Sequence, residues 1–277
     1  MATKLIDCHS HTAYSGHGQG NIAQAVHRAQ ELGLAVYAQT EHLTLPQELD
    51  PNREDSMSTE DAMNYLTELR TERERLLREG SAMELVVGIE ADWLTGRAAQ
   101  LEELCRPYDY VVASVHFADG LPIDNDENMT LWEHLGVDGV WERYFELVEE
   151  MLRNCRCIHA LAHPDLPKVF GMRPSFDIRD AFGDIFNLAR ERDLLIELNT
   201  AGWRKEAQEQ YPAFDLLKLA HDIGLCPTVG ADAHKSSDIA AGVQEAYALL
   251  YDAGYRYVYH PRQNTAFCGE FGCLELV

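Results

Sequence analysis

The stretch Leu5-Ile6-Asp7-Cys8-His9-Ser10-His11-Thr12 begins with a short apolar run and ends in two histidines. The run has the length of a buried β-strand, and the two histidines stand where that strand would end. Leaving a strand at alternate positions, both side chains can turn toward one metal ion. A lone His-x-His pair is common by chance, so its meaning depends on the other histidines and carboxylates of the chain.

Six further apolar runs follow the first one, and all are short and rich in Val, Ile or Leu. Such runs are typical of strands covered on both faces, and the helical patterns between them predict right-handed βαβ units. The sequence therefore predicts an α/β fold with a parallel sheet or barrel, formed by one domain over residues 1–277. The predicted strands are 5–8, 35–39, 85–89, 110–115, 158–162, 194–198 and 225–229, and the predicted helices are 21–32, 59–78, 98–105, 140–153, 178–192, 213–222 and 239–251.

Metal-binding side chains stand at most of the predicted strand ends. In a barrel of parallel strands these ends converge on one rim, so residues that are far apart in sequence meet there. Imidazoles interleaved with carboxylates suit zinc, iron or manganese, whereas calcium and magnesium sites are built mostly from oxygen. We therefore predict a metal-dependent enzyme. The residues at the strand ends are His9, His11, Glu41, His42, Glu90, His116, His163, Asp232 and His234.

Two further features refine this set. Glu90 directly follows an apolar strand, and a carboxylate can bridge two metal ions, which a neutral imidazole cannot. His17 lies between Gly16 and Gly18, which let the backbone fold it back toward the rim. The other histidines do not stand at strand ends, and we assign them to the surface or to packing. They are His27, His134, His159, His221 and His260.

The composition limits the class of partner. The net charge is −23 at pH 7, and binding a nucleic-acid backbone needs clustered Lys and Arg, so the composition disfavours nucleic acid. A small substrate that carries an amine suits the negative field better. No apolar run approaches the ~20 residues that cross a bilayer, and the first residues show no signal-peptide pattern. We predict a cytoplasmic location and no membrane partner.

The ordered motifs resemble the PHP family, named for polymerase and histidinol phosphatase, and most closely its monofunctional histidinol-phosphate phosphatases. The shared family motifs are His9-x-His11-Thr12, Glu41-His42, Gly88-Ile89-Glu90, Ser114-Val115-His116, His163-Pro164 and Asp232-x-His234. The closer resemblance rests on Tyr14-Ser15-Gly16-His17-Gly18, Ser114-Val115-His116-Phe117-x-Asp119-Gly120, His163-Pro164-Asp165-Leu166, Glu197-Leu198-Asn199-Thr200-Ala201-Gly202-Trp203-Arg204-Lys205 and Tyr211-Pro212. Leu121-Pro122-Ile123 departs from the aromatic-glycine segment that is more usual in the family.

This resemblance implies a distorted (β/α)7 barrel, a TIM-like fold, with three divalent transition-metal ions. It implies zinc, iron or manganese as the metals and places Glu41 outside the direct ligands. By position, the first metal would take His9, His11, Glu90 and Asp232, the second Glu90, His116 and His163, and the third His17, His42 and His234.

The resemblance also implies a reaction, the hydrolysis of L-histidinol phosphate to L-histidinol and phosphate in histidine biosynthesis. A hydroxide shared by two metals that Glu90 bridges would attack phosphorus. Either Asp232 or His234 would protonate the leaving alkoxide. Candidate contacts to the phosphate are Arg204, Lys205 and Lys168, and candidate contacts to the substrate amine are Asp165 and the loop 117–127.

Other functions remain as alternatives. A family member of other specificity would be a phosphotyrosine phosphatase, which needs an active-site entrance open to a peptide, or a nucleotide phosphodiesterase, which needs a basic groove. A non-catalytic metal-binding domain is disfavoured because every expected ligand position is filled. The segments 43–57 and 117–136 follow predicted strands, and long loops at that position are commonly lids or substrate-contacting segments.

Overall fold

Seven parallel strands form the centre of the fold in the computed structural model, which describes residues 4–262 and 271–276. In chain order the strands are β1 (Ile6–Asp7), β2 (Val36–Gln39), β3 (Glu84–Asp92), β4 (Tyr110–Ser114), β5 (Phe117–Ala118), β6 (Leu121–Pro122), β7 (Ala160–Leu161), β8 (Leu195–Asn199), β9 (Cys226–Gly230), β10 (Tyr257–His260) and β11 (Gly272–Glu275). The central sheet has the order β1-β2-β3-β4-β7-β8-β9 and contains all seven predicted strands. Their bounds differ from the predicted ones by a few residues, most in β3, which continues to Asp92.

Backbone hydrogen bonds between the first and the last strand nearly close this sheet into a barrel. The amide of Cys8 donates to the carbonyl of Val229 at 2.9 Å, and the amide of Asp232 donates to the carbonyl of His9 at 2.8 Å. The predicted distorted (β/α)7 barrel is therefore confirmed. Closure also brings His9 and Asp232 side by side, although most of the chain separates them in sequence.

The alternation of side chains along β3 aims Glu90 into the barrel. Val87 and Ile89 pack in the layer between strands and helices, whereas Val86 packs in the barrel interior. Because successive residues of a strand point to opposite faces, Glu90 shares the inward face of Val86. Gly88 lies between them on this face, and a Cβ there would approach Thr40 Cγ2 to 2.7 Å. The packed interior therefore has no space for a larger residue at that position.

Helices cover the outside of the sheet. They are α1 (Ile22–Glu31), α2 (Thr59–Glu79), α3 (Ala98–Cys105), α4 (Thr130–Asn154), α5 (Arg179–Glu191), α6 (Phe214–Ile223) and α7 (Val243–Ala253). Ser58 caps α2, since its side chain accepts from the amide of Asp61. Gly224 ends α6 with a φ of 92°, a left-handed conformation that glycine adopts without strain.

Two helix starts differ from the sequence prediction by several residues, while α1, α5 and α6 each begin one residue later than predicted. α4 begins at Thr130, not at residue 140, because Trp132 is buried and holds an extra segment on the core despite the bend at Gly136. α7 begins at Val243, not at residue 239, because Gly242 has a left-handed φ of 76°, at which the regular helix stops. The N-cap residue of α5 is Ile178. The carboxylate of Asp177, one position before this cap, accepts a hydrogen bond from the amide of Arg179.

Two small strand pairs were not predicted. β5 and β6 form an antiparallel hairpin inside the segment 117–136, and β10 pairs with β11 near the end of the chain. Within the described residues, no helix is both long and apolar enough to pass through a bilayer. The cytoplasmic location stays a prediction, and residues 1–3 of the segment on which it rests lie outside the described residues.

Candidate metal centre

The strand ends gather all nine predicted metal ligands at one rim of the barrel. Most of them are buried, whereas His17 and His234 are partly exposed. We call this group the Glu90 cluster. It consists of His9, His11, His17, His42, Glu90, His116, His163, Asp232 and His234.

Glu90 lies at the middle of this cluster, and both of its carboxylate oxygens face imidazoles. Three imidazoles approach Oε2 and two approach Oε1. The distances from Oε2 are 3.0 Å to His42 Nδ1, 3.2 Å to His9 Nε2 and 3.4 Å to His11 Nε2, and those from Oε1 are 3.0 Å to His163 Nε2 and 3.7 Å to His116 Nε2.

A second part of the cluster is a stack of imidazole rings. The His11 ring lies 4.3 Å from the His42 ring and 4.4 Å from the His234 ring, and the His17 ring lies 4.7 Å from that of His234. His17 therefore does turn back toward the rim. Its Nδ1 is 3.0 Å from the carbonyl oxygen of Glu54, in the loop before α2.

Several nitrogen atoms of the cluster fit a cation better than a hydrogen-bond network. The buried Nδ1 atoms of His11 and His163 have no hydrogen-bond partner among the described residues. His42 Nδ1, although 3.0 Å from Glu90 Oε2, does not meet it in hydrogen-bond geometry. His9 Nε2 and His11 Nε2 lie 3.1 Å apart, although a neutral imidazole has a single N–H to share. A cation bound between these lone pairs would satisfy them, and a donor set of imidazole and carboxylate suits zinc, iron or manganese.

Among the described residues, three sets of potential ligand atoms lie within 4.8 Å of one another. These sets share members with the predicted partition but are not identical to it, because His42 approaches Glu90 as well as His11. The sets are His9, His11 and Glu90, then His42, Glu90 and His116, and finally His11, His42 and His234.

The electrostatics of the cluster keep Glu90 ionised and two histidines neutral. Burial opposes ionisation of Glu90, but the neighbouring imidazoles, led by His9 and His42, outweigh it and hold its pKa well below the usual range. Burial lowers the pKa of His11 to about 3 and that of His234 to about 4. A neutral imidazole keeps the lone pair that a metal ion needs.

Two carboxylates that the sequence analysis did not select hold imidazoles of the cluster. Glu197 Oε1 lies 2.7 Å from His9 Nδ1, and Asp92 Oδ1 lies 2.8 Å from His116 Nδ1. Such a carboxylate orients a ligating histidine and directs its other nitrogen toward the metal. A signal was present in the sequence, since both are acidic residues in or at the end of apolar strands.

The contact between Glu197 and His9 depends on Gly230. A Cβ at position 230 would lie 2.3 Å from Glu197 Oε1 and 2.4 Å from His9 Cβ. Any side chain at this position would therefore push the carboxylate or the imidazole away. Asn199 completes this side of the site, because its Nδ2 donates to Glu197 Oε2 at 3.1 Å and to Asp232 Oδ2 at 3.2 Å.

Glu41 lies behind the cluster. Its Oε1 accepts from the amide and the hydroxyl of Thr12, both at 2.6 Å, and its Oε2 is 4.0 Å from His11 Nδ1. Burial raises the pKa of Glu41 to about 8 despite these hydrogen bonds. This position agrees with the prediction that Glu41 is not a direct metal ligand.

A cleft of about 660 Å³ opens above the cluster and is lined by both cationic and acidic side chains. Its cationic residues, which we call the cationic wall, are Arg204 and Lys205, as predicted, together with Lys235, which the sequence analysis did not select. Asp238 Oδ2 lies 3.7 Å from Arg204 Nε, and its Oδ1 lies 3.8 Å from Lys235 Nζ. The acidic wall consists of Asp124, Asp126 and Glu127, in the segment between β6 and α4, and of Asp55. Both long segments predicted on the active rim therefore contribute to the cleft.

Lys168 and Asp165 do not line the cleft, which corrects their prediction as substrate contacts. Lys168 Nζ is 2.7 Å from Asp165 Oδ2 and 2.9 Å from Glu209 Oε2, and it donates to the carbonyl of Gln210 at 2.6 Å. Asp165 Oδ2 also accepts from the amide of Ala213 at 2.8 Å. Both side chains are buried, and each charge is used inside the protein. We call these ion pairs the Lys168 network.

The histidines assigned to the surface or to packing do not line the cleft. His27 and His134 are exposed, and His159 is buried, with its Nδ1 accepting from the amide of Val111 at 3.0 Å. His221 is partly exposed, and the Nδ1 of the buried His260 lies 3.0 Å from the carbonyl of Pro261. With the exception of His17, the strand-end rule thus separates the two groups of histidines.

One solved structure has a closely similar fold. The histidinol phosphate phosphatase of Lactococcus lactis, solved with zinc, L-histidinol and phosphate, superposes with a TM-score of 0.79 and 18% sequence identity. The superposition covers 94% of this chain and 98% of that one. At this identity the similarity supports the barrel fold.

Sequence comparisons give the family. A protein of Deinococcus radiodurans named probable histidinol-phosphatase is 30% identical over 259 residues, which cover 92% of this chain and 96% of that one. A protein of the same name from Schizosaccharomyces pombe is 24% identical over 274 residues, 90% of this chain and 87% of that one. The model of the PHP domain family matches residues 7–201. That match spans more than half of the chain, which therefore belongs to the PHP domain family.

Proposed function

We propose that the protein is a metal-dependent phosphomonoesterase that hydrolyses L-histidinol phosphate to L-histidinol and phosphate in histidine biosynthesis. The observation that carries the proposal is the Glu90 cluster, at the base of a cleft with one cationic and one acidic wall. The names of the relatives from Deinococcus radiodurans and Schizosaccharomyces pombe support the activity. The bound zinc, L-histidinol and phosphate of the Lactococcus lactis protein support the substrate.

The Glu90 cluster would hold three divalent ions of zinc, iron or manganese. When bound, these ions would supply Lewis-acid activation of a water molecule and neutralisation of charge on the phosphoryl group. Glu90 has both oxygens directed at imidazoles, which suits a bridging position. The proposed ligands are His9, His11, His17, His42, Glu90, His116, His163, Asp232 and His234.

The chain's own residues would then orient the ligands and the substrate. Glu197 and Asp92 hold the rings of His9 and His116 with one nitrogen toward the cluster, so little reorganisation is needed when the site is filled. Either Asp232 or His234 would take the proton that the activated water releases and pass it to the leaving alkoxide oxygen, since both line the cleft.

The two walls of the cleft match the two ends of the substrate. The guanidinium of Arg204 and the ammonium of Lys205 would bind phosphate oxygens from one side. Arg204 is held in place because its Nη2 donates to the carbonyl of Ala231 at 2.5 Å. The carboxylates of Asp124 and Asp126 face the cleft from the other wall and would attract the ammonium and imidazole of histidinol phosphate.

A phosphoesterase of other specificity is the second candidate. A phosphotyrosine phosphatase or a nucleotide phosphodiesterase would keep the same metal ligands. The acidic wall disfavours a nucleotide, because its further phosphates would meet Asp124 and Glu127.

The test is phosphate release by the metal-loaded protein from histidinol phosphate, phosphotyrosine, mononucleotides and a bis(p-nitrophenyl) phosphodiester, repeated after chelation. We expect a preference for histidinol phosphate of about 1000-fold in kcat/KM, roughly 4 kcal/mol, and loss of activity with the metals. Equal activity on all monoesters, or a preference for the diester, would contradict the proposed substrate. Activity that survives complete metal removal would contradict the metal-dependent mechanism.

A further inference from the structure

Tyr211 lines the cleft and carries a hydroxyl group that no described residue satisfies. The residue is buried, with 2% of its surface exposed, yet it is among those that line the cleft. Its Oη has no hydrogen-bond partner among the described residues. A buried hydroxyl without a partner costs free energy, so a partner from outside the chain is expected.

The cleft distinguishes Tyr211 from the other unpaired buried hydroxyls. Tyr110, Thr228 and Tyr255 also carry buried hydroxyl oxygens without a partner among the described residues, but none of them lines the cleft. Of these four residues, Tyr211 alone borders the space that a substrate would occupy. This difference makes Tyr255 a matched control.

The ring of Tyr211 is held firmly beside the Glu90 cluster. Its backbone exchanges two hydrogen bonds with Asn199, of 2.7 and 2.9 Å, at the end of β8. Lys168 Nζ lies 5.2 Å from the ring centroid, and the ring meets that of His163 edge-on at 6.2 Å. A Cβ at Gly202 would come within 2.9 Å of the Tyr211 ring, so that side is closely packed as well. The hydroxyl therefore has a defined position next to a proposed metal ligand.

The charges around Tyr211 favour a cationic hydrogen-bond donor as the missing partner. A phenol is neutral at pH 7, and the carboxylates of Asp165, Asp232 and Asp124 supply negative charge around this one. Its oxygen can then accept a hydrogen bond from an ammonium group in a region of negative potential. Asp124 lines the same cleft and is exposed, so its carboxylate is accessible to the same cation.

We propose that the Tyr211 hydroxyl, together with the acidic wall at Asp124, binds the ammonium group of the phosphomonoester substrate. This inference rests on the proposed function, because histidinol phosphate carries its ammonium on the carbon next to the ester methylene. An ester held by the cluster and by Arg204 would bring that carbon close to the rim, where Tyr211 lies. Tyr211 is thus a residue that selects amine-bearing phosphomonoesters.

The experiment compares Tyr211→Phe and Tyr255→Phe with the wild type on two substrates, histidinol phosphate and its desamino analogue. We expect Tyr211→Phe to lower the ratio of the two kcat/KM values by about tenfold or more, since a hydrogen bond to a charged group is lost. Tyr255→Phe should leave this ratio at the wild-type value. Asp124→Asn should lower it in the same direction as Tyr211→Phe.

A second readout separates this role from a structural one. Because the hydroxyl has no partner among the residues described, Tyr211→Phe should keep or raise the melting temperature and keep the metal content. An unchanged substrate ratio in Tyr211→Phe, with a wild type that prefers histidinol phosphate, would overturn the assignment of Tyr211 alone. A wild type that does not prefer histidinol phosphate over its desamino analogue would overturn both the proposed function and this inference.

Discussion

The Glu90 cluster and the Lys168 network are both buried groups of charged residues at the same rim of the barrel, but they differ in how their polar atoms are paired. In the Lys168 network the ammonium meets two carboxylates and a carbonyl, and Asp165 also accepts from a backbone amide. In the Glu90 cluster the nitrogens of His9 and His11 face each other, and further imidazole nitrogens have no partner among the described residues.

Buried charge alone therefore does not mark a functional site. A network in which an ammonium meets carboxylates joins segments of the chain, although Asp165 Oδ1 has no hydrogen-bond partner among the described residues. A cluster whose imidazole nitrogens face one another is instead arranged for a ligand. Sequence position predicted the same role for Lys168 and Arg204, and burial separates them. Lys168 is enclosed by its partners, while Arg204 lines the cleft.

The largest effect is expected when the central charge of the Glu90 cluster is removed. We expect Glu90→Gln to lower kcat/KM for histidinol phosphate by about a thousandfold or more, roughly 4 kcal/mol, because metal ions lose the carboxylate that faces five imidazoles. Metal analysis of the purified variant should show a lower content. Glu142→Gln, at an exposed position of α4, is the control. Full metal content with full activity in Glu90→Gln would remove Glu90 from the proposed ligands.

The Lys168 network should respond in stability. Lys168→Met leaves Asp165 buried without its cation, and the free energy of unfolding in urea should fall by roughly 3 to 5 kcal/mol. Adding Asp165→Asn to this variant should recover part of the loss, since the buried charge is then gone. A normal unfolding free energy with a raised KM would instead return Lys168 to the substrate contacts.

The carboxylates behind the ligands should have a smaller effect, on metal affinity. Glu197→Gln and Asp92→Asn each remove a charged partner from a ligating imidazole, and the affinity for metal should fall by about 10- to 100-fold. Competition with a chelator measures this affinity without reference to catalysis. Asp138→Asn, at an exposed carboxylate that bonds Ser175, should match the wild type. Wild-type affinity in both site variants would show that the ligands need no such support.

The cationic wall should show the smallest effect of this series. Arg204→Gln removes a charged donor from the phosphate side of the cleft, and kcat/KM should fall by about tenfold for every phosphomonoester tested. Arg97→Gln, on a guanidinium paired with Glu48 outside the cleft, is the matched control. A loss confined to histidinol phosphate would instead place Arg204 near the amine.

The sequence predicted the barrel well because local rules and the fold agree there. Apolar runs bounded by polar residues specify strands covered on both faces, and all seven were found. The starts of α4 and α7 were wrong for local reasons, namely a buried tryptophan before a bend and a left-handed glycine. The hairpin of β5 and β6 was not predicted because its strands are too short to carry a pattern.

Most side chains of the rim could be predicted from the sequence, because strands of a parallel barrel all end on the same side and residues at those ends meet there. Which charges are satisfied depends instead on tertiary contacts. The segment before α6 brings Glu209 and Gln210 onto Lys168, and Gly230 allows Glu197 to reach His9. The tertiary structure also leaves the hydroxyl of Tyr211, which lines the cleft, without a partner among the described residues. Such pairing depends on distances of a few tenths of an ångström between segments far apart in the chain, which no periodicity in the sequence encodes.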